Sequence, residues 1–302
     1  MGNITMKDIA EKSNVSIATV SYILNHVKGQ KISDETKKRV LTISKEMGYI
    51  PNLTARTLAG KKSGLIGILR VCDLTIENPW QDFIYCKFIN QIERILNRFG
   101  YHVLFTKVDV SCPELNVVLQ RKLDGVILLD VSEDIFYKIS NIFHVPVLII
   151  DGYLEDCLFH KIILDYNVAF EKSEQLLNSN PEFIISYKSN NKGILNIIDS
   201  YANKKGIELL FAKSVKELAE FSRGKSKAKG IVINEFVSLF AARYLNPNNF
   251  VTVCSCGSPE ILPESRKKIV LQEEKSEVAA DLILSYIKGD YQKNRCKYTF
   301  LK

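Results

Sequence analysis

The stretch TMKDIAEKSNVSIATVSYILN, residues 5–25, contains two short helical patterns separated by a tight polar turn. Thr5 and Asp8 have the spacing of a helix N-terminus, where a hydroxyl and a carboxylate satisfy free backbone amides. We predict that the first helix ends at the turn Ser13-Asn14-Val15. Asn14 suits such a corner because asparagine tolerates a positive φ better than most residues.

A second helix is predicted to begin after Ser16, which would cap it. Its apolar residues are three and four positions apart and therefore share one face. Two helices joined by a short turn are typical of a helix-turn-helix, whose second helix enters the major groove of DNA. The predicted inward residues are Val20, Ile23 and Leu24, and the predicted outward residues are Ile17, Ala18, Ser21 and Tyr22.

Two further helices are predicted after this pair. Ser33 would cap a third helix that runs through about Met47, with Val40, Leu41, Ile43 and Met47 on its buried face. The segment NLTARTLAG, residues 52–60, predicts one more helix of two turns. A helix this short is marginal in water, so we expect it to fold on a partner.

Charge is concentrated at one end of the chain. The first 62 residues hold eleven Lys and Arg against five Asp and Glu, a net of +6, whereas the whole chain of 302 residues carries +7. A basic module on a nearly neutral body indicates a polyanionic partner. Seven scattered cysteines favour a reducing cytoplasm over a disulfide framework. Neither a membrane-spanning run nor a signal peptide is expected.

From Leu65 onward, short apolar runs alternate with amphipathic stretches, which indicates parallel sheets covered by helices. Nine strands are predicted, with a change of character near residue 160 that suggests two lobes. The predicted strands are Leu65–Val71, His102–Lys107, Val126–Leu129, Val145–Ile150, Lys161–Leu164, Phe183–Ser186, Ile207–Phe211, Gly230–Ile233 and Phe250–Val253.

The motifs DIAEKSNVSIATVSYILN, SDETKKRV and GYIPNLTARTL, followed by this α/β region, resemble the LacI/GalR family of bacterial transcriptional regulators. The resemblance implies an N-terminal all-α helix-turn-helix domain over residues 1–48 and a hinge helix and linker over 49–62. Residues 63–302 would form an α/β two-lobed periplasmic-binding-protein-like domain with parallel sheets, used for effector binding and dimerisation. The implied function is a cytoplasmic homodimeric repressor that binds a pseudopalindromic operator of double-stranded DNA with effector-modulated affinity.

Positions on the second helix predict how it reads DNA. Ile17, Ala18 and Tyr22 would contact bases, and apolar readers favour thymine methyl groups. Thr19 and Ser21 suit phosphate oxygens. The family usually has arginine where this chain has Tyr22, and tyrosine cannot make the bidentate contact to guanine. The full set of predicted DNA-contacting residues is Thr5, Ser16, Ile17, Ala18, Thr19, Ser21, Tyr22, Asn25, Ala55, Arg56 and Leu58.

The resemblance implies a specific role for the hinge helix. It would lie in the minor groove at the centre of the operator, with Leu58 wedged between base pairs and Ala55 and Arg56 on the adjacent turn. The alternative is that Leu58 is a linker residue that docks on the body.

The effector cleft is implied by the resemblance at Asn78, Trp80, Asp165 and Asn234. Trp80 would either stack on a ligand ring or belong to the core. Several polar groups usual in sugar-responsive members are missing, since Asp151-Gly152 and Cys256 occupy their positions. A common sugar effector is therefore doubtful. The cleft could bind a less polar molecule, bind nothing, or respond to a protein partner.

Residue patterns for catalysis are missing from the sequence. There is no phosphate-binding glycine loop, metal-ligand motif or nucleophile elbow, and the four histidines are isolated. The pair Cys254 and Cys256 is interpreted as small-residue packing. We expect no enzymatic activity, cofactor or metal. The alternatives are a small-molecule-binding α/β protein and a regulator that has lost ligand sensing.

Replacing Tyr22 with alanine tests base reading. Loss of a base contact should cost about 1–3 kcal/mol at the specific site and much less on random DNA. Fluorescence anisotropy on both DNAs measures the two losses. Equal losses on the two DNAs would reassign Tyr22 to backbone contacts or to the core.

Overall fold

The chain forms two compact units, Met1–Lys61 and Lys62–Lys302. The first unit contains α1 (Met6–Ser13), α2 (Ile17–Leu24) and α3 (Asp34–Glu46). The computed structural model describes residues 5–24, 32–47, 62–74, 80, 82–113, 115, 118, 120–155, 159–290 and 297–302.

The ends of α1 show why this helix starts and stops where it does. The Thr5 hydroxyl accepts from the backbone N–H of Asp8, and the Asp8 carboxylate accepts from the Thr5 N–H at 2.7 Å. At the other end Asn14 has φ +52°, and its N–H reaches the carbonyls of Ala10 and Glu11. The predicted cap and the predicted asparagine corner are both confirmed.

The three helices share a small buried core. Adjacent positions on a helix point about 100° apart, so in a narrow contact only one of two neighbours faces inward. Val40 is fully buried, whereas Leu41 is 45% exposed, and the prediction that Leu41 lies on the buried face is wrong. The buried residues are Ile9, Ala10, Val20, Ile23 and Val40, with Leu24, Ile43 and Met47 partly buried against them.

The second unit contains two sheets in which each strand pairing is parallel. The six-stranded sheet, in the order β11-β5-β4-β3-β1-β2, consists of β1 (Leu65–Cys72), β2 (His102–Asp109), β3 (Gly125–Leu129), β4 (Val147–Ile150), β5 (His160–Leu164) and β11 (Tyr298–Leu301). The five-stranded sheet, in the order β10-β9-β8-β6-β7, consists of β6 (Phe183–Tyr187), β7 (Glu208–Ala212), β8 (Gly230–Ile233), β9 (Phe250–Cys254) and β10 (Lys268–Val270).

Helices cover both sheets and divide the unit into two lobes. Lobe 1 is the six-stranded sheet with α4 (Cys86–Arg98), α5 (Glu133–Ile139) and α10 (Lys275–Lys288). Lobe 2 is the five-stranded sheet with α6 (Tyr166–Leu177), α7 (Lys192–Lys205), α8 (Val215–Ser222) and α9 (Glu235–Ala241). The chain enters lobe 2 after β5 and returns to lobe 1 between β10 and α10.

The strand order determines which loops lie where the order of the parallel strands reverses. In lobe 1, β1 lies between β2 and β3, with Ile66 opposite both Val103 and Gly125. In lobe 2, β6 lies between β7 and β8 in the same way. Open parallel sheets bind ligands outside the carboxyl ends of strands where the order reverses. The loops after β1, β3 and β6 therefore lie where this kind of sheet binds ligands.

The predicted fold class is confirmed, and each of the nine predicted strands is present within two residues of its predicted bounds. Three elements escaped prediction: β10, β11 and α10. Strand β10 has only three residues, and the exposed edge of β11 weakens its apolar pattern. Helix α10 is preceded by Glu274 at the N-cap position, whose side chain makes no cap bond, so the usual start signal is missing. No helix in the described ranges is both long enough and apolar enough to cross a membrane.

Gly230 offers a test of packing in lobe 2. A Cβ at this position would lie 2.3 to 2.4 Å from ring carbons of the buried Phe183. Gly230→Ala should therefore lower the free energy of unfolding by about 1–3 kcal/mol, the usual cost of overpacking. Urea unfolding of the full chain measures the change. In a Phe183→Leu background the same substitution should cost less, and an equal cost in both backgrounds would contradict this contact.

Candidate functional site

Helix α2 presents a mixed surface whose N-terminus is fixed by local hydrogen bonds. The Ser16 hydroxyl accepts from the Thr19 N–H at 3.0 Å and bonds the Thr19 hydroxyl at 2.9 Å. Ile17 is 49% exposed and Tyr22 is 38% exposed, although both side chains are large and apolar or aromatic. Ala18 is exposed, while Thr19 and Ser21 are half-buried. Ser16 therefore caps α2, and the exposed apolar residues are available to a partner.

Of the other residues predicted to contact DNA, only Thr5 lies in the described part of the chain. Thr5 is exposed and belongs to the cap of α1. Hydrogen bonding to Thr5 holds the pKa of the exposed Asp8 below its usual value, so this cap keeps its carboxylate charged. Asn25, Ala55, Arg56 and Leu58 lie outside the described residues, and their roles stay predictions.

Three of the predicted effector residues, Trp80, Asp165 and Asn234, lie in the described part of the chain. Trp80 is fully buried and packs edge-on against Phe240 of α9, with ring centroids 5.6 Å apart. This burial favours the core interpretation of Trp80 over ligand stacking. Asp165 accepts from the Val168 N–H and caps α6. Asn78 lies outside the described residues.

Asn234 is also a structural residue in this conformation. It is fully buried with φ +92°, its side-chain oxygen caps α9, and its Nδ2 donates to the Cys256 sulfur at 2.7 Å. The neighbouring Glu235 carboxylate accepts from the N–H groups of Cys256 and Ser258 at 2.9 and 2.7 Å. Burial raises the pKa of Glu235. These bonds fix the loop after β9, and both Cys254 and Cys256 are buried as predicted packing residues.

Asp130, at the end of β3, joins the two lobes. Its carboxylate accepts from the Ser189 hydroxyl, from the Asn190 N–H at 3.2 Å and from Asn190 Nδ2 at 3.1 Å. Asn190 Nδ2 also donates to the Val71 carbonyl at 2.9 Å. Because Ser189 and Asn190 follow β6 in lobe 2, these bonds tie the ends of β1 and β3 to lobe 2.

Asn191 extends the same set of bonds. It is fully buried, and its Nδ2 donates to the carbonyls of Val131 and Tyr153 at 2.8 and 3.1 Å. Its side-chain oxygen accepts from the N–H groups of Tyr153 and Ile194, the latter at the start of α7. We refer to Asp130, Ser189, Asn190 and Asn191 together as the interlobe clasp.

A buried ion pair lies beside the clasp. Lys275, the first residue of α10, donates to both oxygens of Asp151 at 3.0 and 2.7 Å and to the Ser255 carbonyl at 3.2 Å. Both charged side chains are 11% exposed. Removing one partner from such a pair leaves an uncompensated buried charge. The pair therefore holds the end of β4, the loop after β9 and the return into lobe 1 in fixed positions.

Sequence reasoning missed the clasp and the ion pair. Asp130 and Asp151 each follow an apolar strand directly, in the runs VILLD and VLIID. Both adopt positive φ, +54° and +51°. An acid immediately after a buried parallel strand was the available signal for a cleft residue. Ser189, Asn190 and Lys275 carry no comparable local signal because their partners are distant in sequence.

The chain is similar to known bacterial regulators. Residues 5–52 match the family model described as bacterial regulatory proteins of the lacI family. The HTH-type transcriptional regulator RegA of Clostridium saccharobutylicum is 27% identical over 268 residues, which cover 81% of this chain and 78% of RegA. The ribose operon repressor of Halalkalibacterium halodurans is 30% identical over 209 residues, which cover 67% of this chain and 59% of that repressor.

Solved structures show the same architecture. The lac repressor dimer bound to operator and the anti-inducer ONPF aligns with a TM-score of 0.73 at 19% identity, over 99% of this chain and 96% of that one. A LacI family regulator from Enterococcus faecium with bound ribose aligns with a TM-score of 0.58 at 16% identity, over 79% of this chain and 96% of that one. At these identities the likeness establishes the fold.

The clasp predicts a pH dependence of stability. Burial raises the pKa of Asp130 from 3.8 to about 7, although the bonds from Ser189 and Asn190 oppose the rise and the charge of Asp151 adds to it. The folded state then binds this proton more tightly than the unfolded state does. The stability contributed by the protonated group is complete below about pH 4 and is lost as the pH rises through about 7.

Urea unfolding between pH 5 and pH 8 checks whether stability falls as the pH rises. The free energy of unfolding should fall with rising pH, and the fall should be shallower in Asp130→Asn. Asp134→Asn, which removes an exposed carboxylate paired with Lys192, is the control and should keep the slope of the unaltered protein. If the free energy of unfolding fell with pH at the same slope in the unaltered protein and in Asp130→Asn, this would contradict the raised pKa of Asp130.

Proposed function

Because this chain belongs to the LacI/GalR family of bacterial transcriptional regulators, we propose that it is a homodimeric repressor that binds a pseudopalindromic operator. The observation that carries the proposal is the surface of α2, where Ile17, Ala18 and Tyr22 are exposed beside a cap that fixes the helix start. Apolar side chains on a helix that enters the major groove read thymine methyl groups.

The positive charge of the N-terminal residues also supports DNA as the partner. The net charge of +6 over the first 62 residues favours the phosphate backbone and makes binding depend on salt. One such module contacts one half-site, so a two-fold dimer would match an inverted repeat. The α/β unit is the proposed dimerisation part because its area greatly exceeds that of three short helices.

Regulation would act through the two lobes. An effector that binds one arrangement of the lobes better than the other shifts the population toward that arrangement. A changed separation of the two hinge segments would then decide whether both reach the minor groove. RegA and the ribose operon repressor, as named, support a role in transcription and repression. We further propose a cytoplasmic location and no catalytic activity.

Selection of bound DNA from a random library, with the full-length protein, tests this function. An inverted repeat with a fixed central step should be enriched. Leu58→Ala should flatten the preference at the central step, because an apolar wedge kinks DNA most readily where stacking is weakest. Thr57→Ala, a neighbouring substitution that keeps the leucine, should leave the central preference intact.

Two outcomes would contradict different parts of the proposal. Binding without any enriched repeat would remove the symmetric dimer and leave a basic module with general affinity for DNA. A repeat whose centre is unchanged by Leu58→Ala would keep the repressor but return Leu58 to the linker interpretation.

A further inference from the structure

The loop after β6 and the first turn of α7 meet the carboxyl ends of the lobe 1 strands. Residues 189–191 each donate across the boundary, and their acceptors are the Val71 carbonyl, the Asp130 carboxylate and the carbonyls of Val131 and Tyr153. These acceptors lie at the ends of strands where an open parallel sheet binds ligands. The groups that bond them here belong to the chain itself.

Asn190 connects the ends of two lobe 1 strands with one side chain. Its Nδ2 donates to the Val71 carbonyl of β1 and to the Asp130 carboxylate after β3. A primary amide nitrogen has two donors, so both are used. The backbone N–H of Asn190 also donates to Asp130. Asn190 therefore holds β1 and β3 from the side of lobe 2.

Asn191 uses every hydrogen-bonding group of its side chain inside the protein. Its Nδ2 donates to the carbonyls of Val131 and Tyr153, and its oxygen accepts from the N–H groups of Tyr153 and Ile194. The residue is fully buried. Separating the lobes would leave these groups unpaired, and an unpaired buried amide is costly.

Gly193 allows α7 to approach lobe 1 closely. A Cβ at this position would lie 2.8 Å from Tyr153 Cδ1 and 2.9 Å from the Tyr153 Cβ and carbonyl oxygen, and Cβ atoms essentially never come this close to another heavy atom. Glycine inside a helix is about 0.5–1 kcal/mol less favourable than alanine. The close approach to Tyr153 gives a physical reason for a glycine at this helical position.

Contacts on both faces of the lobe 1 sheet fit the same closed arrangement. Helix α5 packs on one face and α4 on the other. Beside α5, Asp134 pairs with Lys192 of lobe 2 at 3.2 Å. Before α4, Phe83 stacks on Phe236 of lobe 2, with ring centroids 5.1 Å apart. The exposed ion pair contributes little by itself, so the buried bonds between these two contacts dominate the polar part of the closure.

We propose that residues 189–193 act as a built-in ligand of lobe 1, whose hydrogen bonds and close approach hold the two lobes together so that closure needs no bound molecule. Because the segment belongs to the same chain, its binding to lobe 1 is intramolecular. Regulation would then act by opening the lobes. The closure does not rest on the proposed function, whereas its effect on DNA binding does.

Amide hydrogen exchange of the full-length protein tests the closure. The protein is unfolded in urea, desalted and refolded, which removes bound small molecules. The N–H groups of Tyr153 and Asn190 donate across the boundary, to Asn191 and Asp130. Both should be protected in the refolded protein, and the amides of β8 report that lobe 2 is folded. Exchange of both N–H groups at the rate of exposed amides would overturn the proposal.

Gly193→Ala tests the close approach. The added methyl group should separate α7 from Tyr153 and speed exchange of the Tyr153 and Asn190 amides roughly tenfold or more, the effect of losing about one buried hydrogen bond. The β8 amides should be unchanged. Ser200→Ala, at an exposed position of α7, is the control and should exchange as the unaltered protein does. Unchanged or slower exchange in Gly193→Ala, as helix propensity alone predicts, would overturn the close approach.

Asn190→Asp tests the hydrogen bonds without changing the size of the side chain. It removes both Nδ2 donors and places a second carboxylate beside Asp130, so exchange of the Tyr153 amide should again become faster. Asn196→Asp makes the same chemical change at an exposed position of α7 and should have no effect. Full protection of Tyr153 in Asn190→Asp would overturn the built-in ligand.

DNA affinity separates the closure from its role in regulation. If an inverted repeat is enriched, Gly193→Ala should change the affinity for it by roughly fivefold or more, the usual size of coupling between two sites, and Ser200→Ala should not. Equal affinities of these two variants would overturn the regulatory role. If no repeat is enriched, the proposed function fails, whereas protection of the Tyr153 and Asn190 amides would still support the built-in ligand.

Discussion

A carboxylate withdrawn from water needs donors, and the donors that meet Asp130 come from the other lobe. This requirement couples the ends of β1 and β3 to the loop after β6, because moving the lobes apart would break these bonds. The ion pair of Asp151 with Lys275 lies within lobe 1, and Lys275 also donates to the Ser255 carbonyl of lobe 2. The hydrogen bonds of Asp130 and of Lys275 therefore connect the two lobes in the described arrangement.

Apolar packing has a different role at the same boundary. One continuous core includes Trp80 and Tyr85 from lobe 1 together with Tyr187 and Cys256 from lobe 2. Such burial is strong but non-directional, because it depends on the apolar area removed from water. The hydrogen bonds of the clasp fix the register that the apolar surfaces leave open. The boundary therefore combines buried apolar surface with directional hydrogen bonds.

Much of the architecture was predictable because it rests on local patterns. The capping residues Thr5 and Asp8, the corner at Asn14 and the buried strands are determined by neighbours a few positions away. Helix α10 and strand β11 were missed because their boundaries are set by tertiary contacts rather than by a cap or a clear alternation.

The interlobe region could not be predicted in the same way. Trp80 and Asn234 were placed in the cleft by resemblance, yet one packs in the core and the other caps a helix. Asn190, Lys275 and Ser189 become important only through partners that are distant along the chain. No sequence window contains both members of such a pair, so their chemistry becomes visible only in three dimensions.

The pairing of β5 with β11 has a consequence for how the protein is made. Tyr298–Leu301 lie beside Lys161–Leu164, with the whole of lobe 2 between them in sequence. A ribosome that adds on the order of ten residues per second needs on the order of ten seconds to produce the second strand after the first. During that interval β5 has an open edge, and an open edge invites pairing with another chain. Lobe 2 can fold in the meantime, so lobe 2 is complete before lobe 1, whose sheet still lacks β11.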